Sequence, residues 1–307
     1  MTARQLAYAI TSGLLAAAGA SPSLAAEFGF SAYGLGGAGF GAGVTPPPGT
    51  YVTTVAAYYE GEAGGTITLG GVTLDAGVTI DFFTAGLNGL YVPQEKVLGG
   101  NLGLSVTVPV GYIDIDAELA TLRRSTDGAG LADIVGRVQL GWQHGDFAHT
   151  VYVQGLAPTG RYDTGFNPNI GLNRPAIDVG WGATWTEPNS KLQLNGTVGF
   201  TFSFENDETN YDSGNDFHFE WAIGREFAPG LMLGVAGYDY RQLTGDSGTG
   251  ATLGPFEGSV DAIGPSLSYT TLIGTTPLIL AARHYREFNA ERRFEGSMSI
   301  MMATMRF

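Results

Sequence analysis

The chain contains no cysteine, which excludes disulfides, thiol catalysis and thiolate metal sites. It also lacks any stretch approaching the roughly 18 consecutive apolar residues that a membrane-spanning helix requires. Cationic residues are scarce: Lys and Arg total 15 against 29 Asp and Glu, for a formal net charge of −14. That balance argues against nucleic acid or anionic lipid heads as partners. Charged residues of both signs make up only 14% of 307 residues, whereas glycines number 48. The combination is too polar for helical spans and too glycine-rich for ordinary helical packing. It suits a closed sheet, where small residues relieve crowding inside a lumen.

Catalytic signatures are equally thin. The histidines are His144, His149, His218 and His284; none lies in a His-x-Ser pattern, and no Gly-x-Ser-x-Gly occurs. Nucleophilic hydrolysis needs a serine with a histidine in reach and an orienting partner, so a lipid hydrolase is the weakest reading and no enzyme is expected. No cofactor is expected either. The acids Asp114 and Asp116, and the group Asp207, Glu208, Asp212 and Asp216, are hard oxygen donors suited to calcium, but their spacing is not that of an EF-hand loop and reads as solvated acidic loop.

What is present begins with Arg4, an alanine-rich apolar run from Leu6 to Ala20, and the small-residue stretch Ser21-Pro22-Ser23-Leu24-Ala25-Ala26. This has the order of a secretory signal peptide over residues 1–26, with cleavage expected after Ala25 or Ala26. Residues 27–50 form a glycine- and proline-rich segment with no packing periodicity, a plug or gate in a lumen or a free periplasmic tail.

From Tyr51 onward the dominant period is two, the mark of a sheet with one apolar and one polar face. In 192–204, Leu192, Leu194, Val198, Phe200, Phe202 and Phe204 alternate with Gln193, Asn195, Thr197, Thr201 and Ser203. Strands are expected at 51–60, 76–92, 98–112, 131–144, 146–157, 176–187, 191–204, 216–227, 231–243, 260–270, 276–288 and 295–307. Their length suits a tilted strand crossing a bilayer. The connections alternate between short (93–97, Gly145, 188–190, 228–230, 271–275) and long (61–75, 113–130, 158–175, 205–215, 244–259, 289–294). Outer-membrane barrels have short periplasmic turns, long external loops and an even strand number. The fold expected is therefore all-β: a transmembrane antiparallel up-and-down barrel of about 12 strands over residues 51–307, with both ends of the mature chain periplasmic.

Aromatics cluster where a bilayer interface would lie: Tyr91, Trp142, Phe147, Trp185, Phe227, Tyr269 and Phe307 near the short turns, and Tyr112, Phe204, Phe217 and Phe288 near the long loops. Three details fit less smoothly. Phe82-Phe83 breaks the alternation and suggests a bulge; Pro109 and Pro265 fall within strands of a barrel that has no free edge; and Arg225 shares parity with Phe217, Phe219 and Trp221, as a side chain that snorkels to the interface. The last strand places Met301, Ala303, Met305 and the terminal Phe307 on one face, the pattern of an assembly signal read by the barrel-assembly machinery.

Further motifs run through the chain: Pro47-Pro48-Gly49-Thr50-Tyr51, Gly130-Leu131-Ala132-Asp133, Leu140-Gly141-Trp142-Gln143, Ala157-Pro158-Thr159-Gly160-Arg161-Tyr162-Asp163, Asn169-Ile170-Gly171-Leu172-Asn173-Arg174, and the acidic 205–214. Gly237-Tyr238, Gln242, Gly264-Pro265 and Arg286-Glu287-Phe288 through Arg293 continue the series. Together they resemble the outer-membrane barrel family named for the meta-pathway of phenol degradation, over nearly all of the chain from about Pro46. One departure is Pro175, which stands where an aromatic is expected after Asn173-Arg174. The resemblance implies a transporter of aromatic or other hydrophobic compounds.

Strand parity then selects the residues that face the lumen: Asp133, Arg137, Tyr152, Asp178, His218, Glu220, Tyr238, Arg283 and Tyr285, with Gln139, Gln154, Gln193 and Asn195 beside them. They make either a constriction of opposed charges on a solute path or a structural network pairing buried charges. The function expected is passive uptake of small hydrophobic or aromatic solutes, with a non-conducting structural or surface-binding barrel as the alternative. The expected partners are outer-membrane lipid, the secretion and assembly machinery, and the solute.

Overall fold

The computed structural model describes residues 27–69, 72–119, 122–164, 168–252 and 254–307; the expected signal peptide lies outside them. The elements are a 3-10 turn at Glu27–Gly29 and the strands β1 (Gly49–Leu69), β2 (Val72–Val92), β3 (Lys96–Val97), β4 (Gly100–Leu119), β5 (Leu122–Leu131), β6 (Ile134–His144), β7 (Phe147–Ala157), β8 (Ala176–Thr186), β9 (Leu192–Ser203), β10 (Asn215–Ala228), β11 (Leu231–Gln242), β12 (Ser259–Ile273), β13 (Thr276–Glu291) and β14 (Glu295–Arg306). β3 is a two-residue ribbon within a turn, and β5 and β6 are successive pieces of one crossing against β4. The wall is therefore a closed antiparallel barrel of 12 strands. β14 pairs back onto β1 from Arg306 opposite Tyr51 to Glu295 opposite Glu62, leaving no edge along the common height of the wall.

Exposure is inverted relative to a water-soluble sheet. Val106 is 52% and Phe200 43% exposed, while His218 is 0% and Glu220 1% exposed. Along β10, Phe217, Phe219, Trp221 and Ile223 face outward and Asp216, His218, Glu220 and Ala222 face in. An apolar outer face with a polar interior is the arrangement of a barrel surrounded by hydrocarbon.

Two of the expected long loops are strand instead. β1 and β2 pair continuously up to Leu69 opposite Val72, and β4 and β5 up to Leu119 opposite Leu122, so 61–69, 72–75, 113–119 and 122–130 extend the wall as a projecting sheet. Its register aligns Glu60 with Asp81, Asp81 with Asp114, and Asp114 with Asp127. Like charges directly opposite one another are unfavourable unless water solvates them. The outward row two residues below is Tyr58, Phe83 and Tyr112, so aromatic gives way to acid where apolar surroundings would end. At and above that level the outward face of the sheet meets water, while the inner face still packs Ala63, Ile80 and Ile113 against Ile170 and Phe294, so the outward apolar row has no cause to persist.

The awkward residues also find physical places. No bulge occurs at Phe82-Phe83, since pairing to β1 and β4 is unbroken there; Phe83 faces out, and Phe82 turns inward against Phe30, ring centroids 5.8 Å apart. Pro109 is matched by an irregularity across from it. Val110 pairs Leu131 and Thr107 pairs Val135, so the break between β5 and β6 at Ala132-Asp133 faces the proline, and Ala132 N donates to Pro109 O at 2.9 Å. Pro265 pairs Val235 on β11, while the β12–β13 ladder skips Gly264 and Pro265, as a residue without an N–H requires. Arg225 is exposed on the outer face close to a turn.

Candidate functional site

The barrel is threaded by its own amino-terminal segment. At the end opposite the short turns, buried Glu27 accepts hydrogen bonds from Asn206 Nδ2 and Thr209 Oγ1, both 2.9 Å, with Arg174 Nη1 at 4.0 Å. Arg174, 1% exposed, also donates to Phe30 O at 2.9 Å. The chain then touches the wall strand by strand. Tyr33 OH donates to Glu220 Oε1 (2.7 Å) and Ala38 N to Glu220 Oε2 (2.9 Å) on β10. Gly41 N donates to Asn195 Oδ1 (2.8 Å) and Gln193 Oε1 (3.0 Å) on β9, and Gly43 N to Thr184 Oγ1 (2.9 Å) on β8. Thr45 Oγ1 meets Thr150 Oγ1 (3.2 Å) on β7 and accepts from Gln139 Nε2 (3.0 Å) on β6; Asn101 Nδ2 on β4 donates to Pro46 O (3.2 Å). Across the lumen, β13 supplies Arg283, whose Nη1 donates to Gly36 O (3.2 Å) and Gly37 O (2.9 Å).

This path corrects one expectation. Gly49 and Phe307 lie together at the short-turn end, where Phe307 N donates to Thr50 O, but residues 27–48 traverse the lumen. Glu27 and Phe307 therefore stand at opposite ends of the barrel.

The interior acids are held by phenols. Glu287 accepts from Tyr238 OH (2.7 Å) and Tyr59 OH (2.8 Å), Asp216 from Tyr240 OH (2.7 Å), and Glu220 from Tyr33 OH. A charge-assisted hydrogen bond is stronger than a neutral one, and it satisfies a buried carboxylate without a second charge. The register next gathers Tyr152, Gly180, Gly199 and His218 into one inward row. The Tyr152 ring lies along the wall because Gly180 is bare: a Cβ there would be 2.4 Å from Tyr152 OH. Arg137 stacks on that ring, 3.7 Å from its centroid. His218 Nε2 is 2.9 Å from Asp178 Oδ2, Thr201 Oγ1 donates to the same oxygen at 3.0 Å, and the Tyr33 ring stacks on His218 with centroids 3.5 Å apart.

Of the residues selected from sequence, Arg137, Tyr152, Asp178, His218 and Glu220 thus come together on one side of the lumen. Tyr238, Arg283 and Tyr285 form a second group on the other, with Tyr238 and Tyr285 rings 5.2 Å apart and Tyr285 OH donating to Gly36 O. Asp133 belongs to neither. Its carboxylate accepts from Gly160 N (2.8 Å) and Leu172 N (2.6 Å), pinning loop 158–175. Pro175 leads directly into β8 and its carbonyl accepts from Phe204 N. The acidic loop group separates: Asp216 faces the lumen, while Asp212 caps Gly214 N. Sequence reasoning missed Tyr33 and Glu287, the first because its segment has no periodicity, the second because its outward neighbours Arg286 and Phe288 drew attention to the strand end.

One histidine does meet a serine. His284 Nδ1 is 2.9 Å from Ser299 Oγ on the outer face, although the two are 15 positions apart and invisible to a local motif. Among the described residues no carboxylate is hydrogen-bonded to the other nitrogen of His284, and nucleophilic catalysis needs that orienting partner.

Comparison with known proteins agrees with this architecture. The family model described as "Putative MetA-pathway of phenol degradation" matches residues 60–301. No curated protein matches. Among solved structures, the chain is similar to the COG4313 outer membrane channel from Pseudomonas putida F1, with TM-score 0.69 and 14% identity over 87% of this chain and 98% of that one. It overlaps less well with the transport unit of the autotransporter AIDA-I from Escherichia coli (TM-score 0.45, 9% identity, 84% and 90% covered) and with the Ralstonia pickettii toluene transporter TbuX (TM-score 0.37, 10% identity, 87% and 91% covered). The first likeness shows the fold, and the other two carry no argument beyond it. With the family model running from the middle of β1 into β14, the chain belongs to the barrel family named for the MetA-pathway of phenol degradation.

Proposed function

We propose that the protein is an outer-membrane transport barrel through which small hydrophobic or aromatic compounds cross passively, and that residues 27–48 are its displaceable plug. The observation that carries this reading is how the lumen is closed. A barrel serving only as a scaffold can fill its interior with wall side chains. Here a separate glycine-rich segment runs through it, attached to β8, β9 and β10 through backbone N–H donors at Ala38, Gly41 and Gly43 and the hydroxyl of Tyr33. In this reading the short-turn end faces the periplasm, and Glu27 is held beneath the external loops.

Uptake into proteoliposomes is the test, using toluene and small aromatic acids with the intact chain and with a variant whose plug is displaced. Uptake by the intact protein that rises on displacement is expected. Failure of every solute to cross in both proteins would leave a non-conducting barrel as the better reading.

A further inference from the structure

We propose that Arg137 docks the carboxylate of a small aromatic acid inside the barrel, making the protein selective for singly charged aromatic acids over neutral aromatic compounds of the same size. The inference rests on the transport reading above and narrows its substrate class.

Arg137 faces inward from β6 between Ser105 and Gln154. Its guanidinium is held by the face of Tyr152, and its Nε is buried with no partner; no hydrogen bond or ion pair reaches it among the described residues. Of the neighbouring acids, Glu220 is engaged by Tyr33 and Ala38, and Asp178 gives one oxygen, Oδ2, to His218 and Thr201 while its Oδ1 has no hydrogen-bond partner; neither is ion-paired to Arg137. A cation confined in a narrow lumen without a direct ion pair is costly even with acids nearby, and an anion that contacts it lowers that cost. Stacking occupies the flat face of a guanidinium and leaves its edge free for a carboxylate.

The surroundings supply the rest of such a ligand's needs. Tyr152 OH is buried with Asp178 as its neighbouring acid but meets no acceptor in good hydrogen-bond geometry, which leaves it a donor for the second carboxylate oxygen. It converges with His218 over Gly199, where a Cβ would lie 3.0 Å from Tyr152 OH and 2.4 Å from His218 Nε2. Beyond it the rings of Tyr33 and His218 are stacked on each other and buried, 8% and 0% exposed, so that displacing the segment that carries Tyr33 bares the His218 face to a ligand's ring. The overall charge of −14 does not oppose this, because a block of the acid surplus, Glu60, Asp81, Asp114 and Asp127, sits on the outward face of the projecting sheet.

Benzoate and its neutral isostere benzamide separate charge from shape. In proteoliposomes the wild-type protein is expected to take up benzoate about tenfold faster or more, the factor that corresponds to a charge-assisted contact of about 1.4 kcal/mol. Arg137→Gln should bring the two rates together, and Arg137→Lys should keep part of the preference, since it restores the charge without the fork. Equal rates in the wild type, or a ratio unchanged in Arg137→Gln, would overturn the inference. If neither compound crosses in the intact or the plug-displaced protein, the failure falls on the transport reading, and calorimetric binding of benzoate to detergent-solubilised protein judges the docking site separately. Binding lost in Arg137→Gln, with the heat-modifiable gel shift of the folded barrel retained, supports it, and no binding to the wild type refutes it.

Discussion

Gly43 of the threaded segment lies against Ala183 of the wall so closely that a Cβ on the glycine would sit 2.6 Å from the alanine's Cα and carbonyl carbon. The obstacle is backbone on β8, with Ala148 O of β7 at the same distance, so no side-chain rotation relieves it. Gly43→Val should push the segment off β7 and β8 and break the Gly43 N to Thr184 bond while leaving the wall intact. The expected result is faster solute entry and new protease cleavage between residues 36 and 48, with the barrel still heat-modifiable on a gel. Unchanged permeation in a variant shown by cleavage to have a displaced segment would refute the plug reading.

Tyr33→Phe isolates the strongest tie between segment and wall. The substitution keeps the ring on His218 but removes the phenol bonded to Glu220, a side chain 1% exposed. A buried carboxylate left with the Ala38 amide alone should cost roughly 1–3 kcal/mol. Thermal unfolding of the refolded protein measures it, and the double variant Tyr33→Phe with Glu220→Gln should recover part of the loss, because a neutral amide does not need the phenol. A double variant no better than the single one would show that the tie is packing rather than charge.

Much of this arrangement could be read from the chain. The inward set of Arg137, Asp178, His218, Glu220 and Arg283 follows from strict alternation, because a closed wall leaves each strand residue two directions only. What could not be read were relationships without local period. Tyr33 and Glu220 are 187 positions apart, and a glycine-rich segment carries no face to predict. The extensions of β1, β2, β4 and β5 failed for a different reason: once the outward side of a sheet meets water, Glu60, Asp81 and Asp114 are as acceptable there as any residue, and the outward apolar row that reveals a membrane strand disappears. Asp133 had inward parity but falls at the break opposite Pro109, where parity ceases to have meaning.

That break makes Asp133 testable as a loop anchor rather than a path residue. Asp133→Ala removes the acceptor for Gly160 N and Leu172 N, with Gly160 N at 2.8 Å. Loss of two charge-assisted bonds should free loop 158–175, at a cost of about 1.5–3 kcal/mol for each bond that no water replaces. Hydrogen exchange at Gly160 and Leu172 should accelerate, while amides of β9 and β10 keep their protection and the benzoate-to-benzamide ratio is unaltered. A changed ratio with an ordered loop would return Asp133 to the solute path.

Phe307 separates assembly from stability. Its backbone N–H donates to Thr50 O at 2.8 Å, whatever the side chain, and the side chain itself is 73% exposed on the outer face. Phe307→Ala therefore removes little from the folded barrel: an exposed aromatic at an apolar interface contributes at most about 1–2 kcal/mol of partial burial. If the ring is an assembly signal, the variant should refold in detergent with a wild-type melting temperature yet accumulate poorly in the outer membrane of cells, with the deficit appearing as periplasmic or degraded chain. Equal yield in the membrane would remove the signal reading. Equal losses in cells and in detergent would instead assign Phe307 to the seam between β1 and β14, which closes the wall.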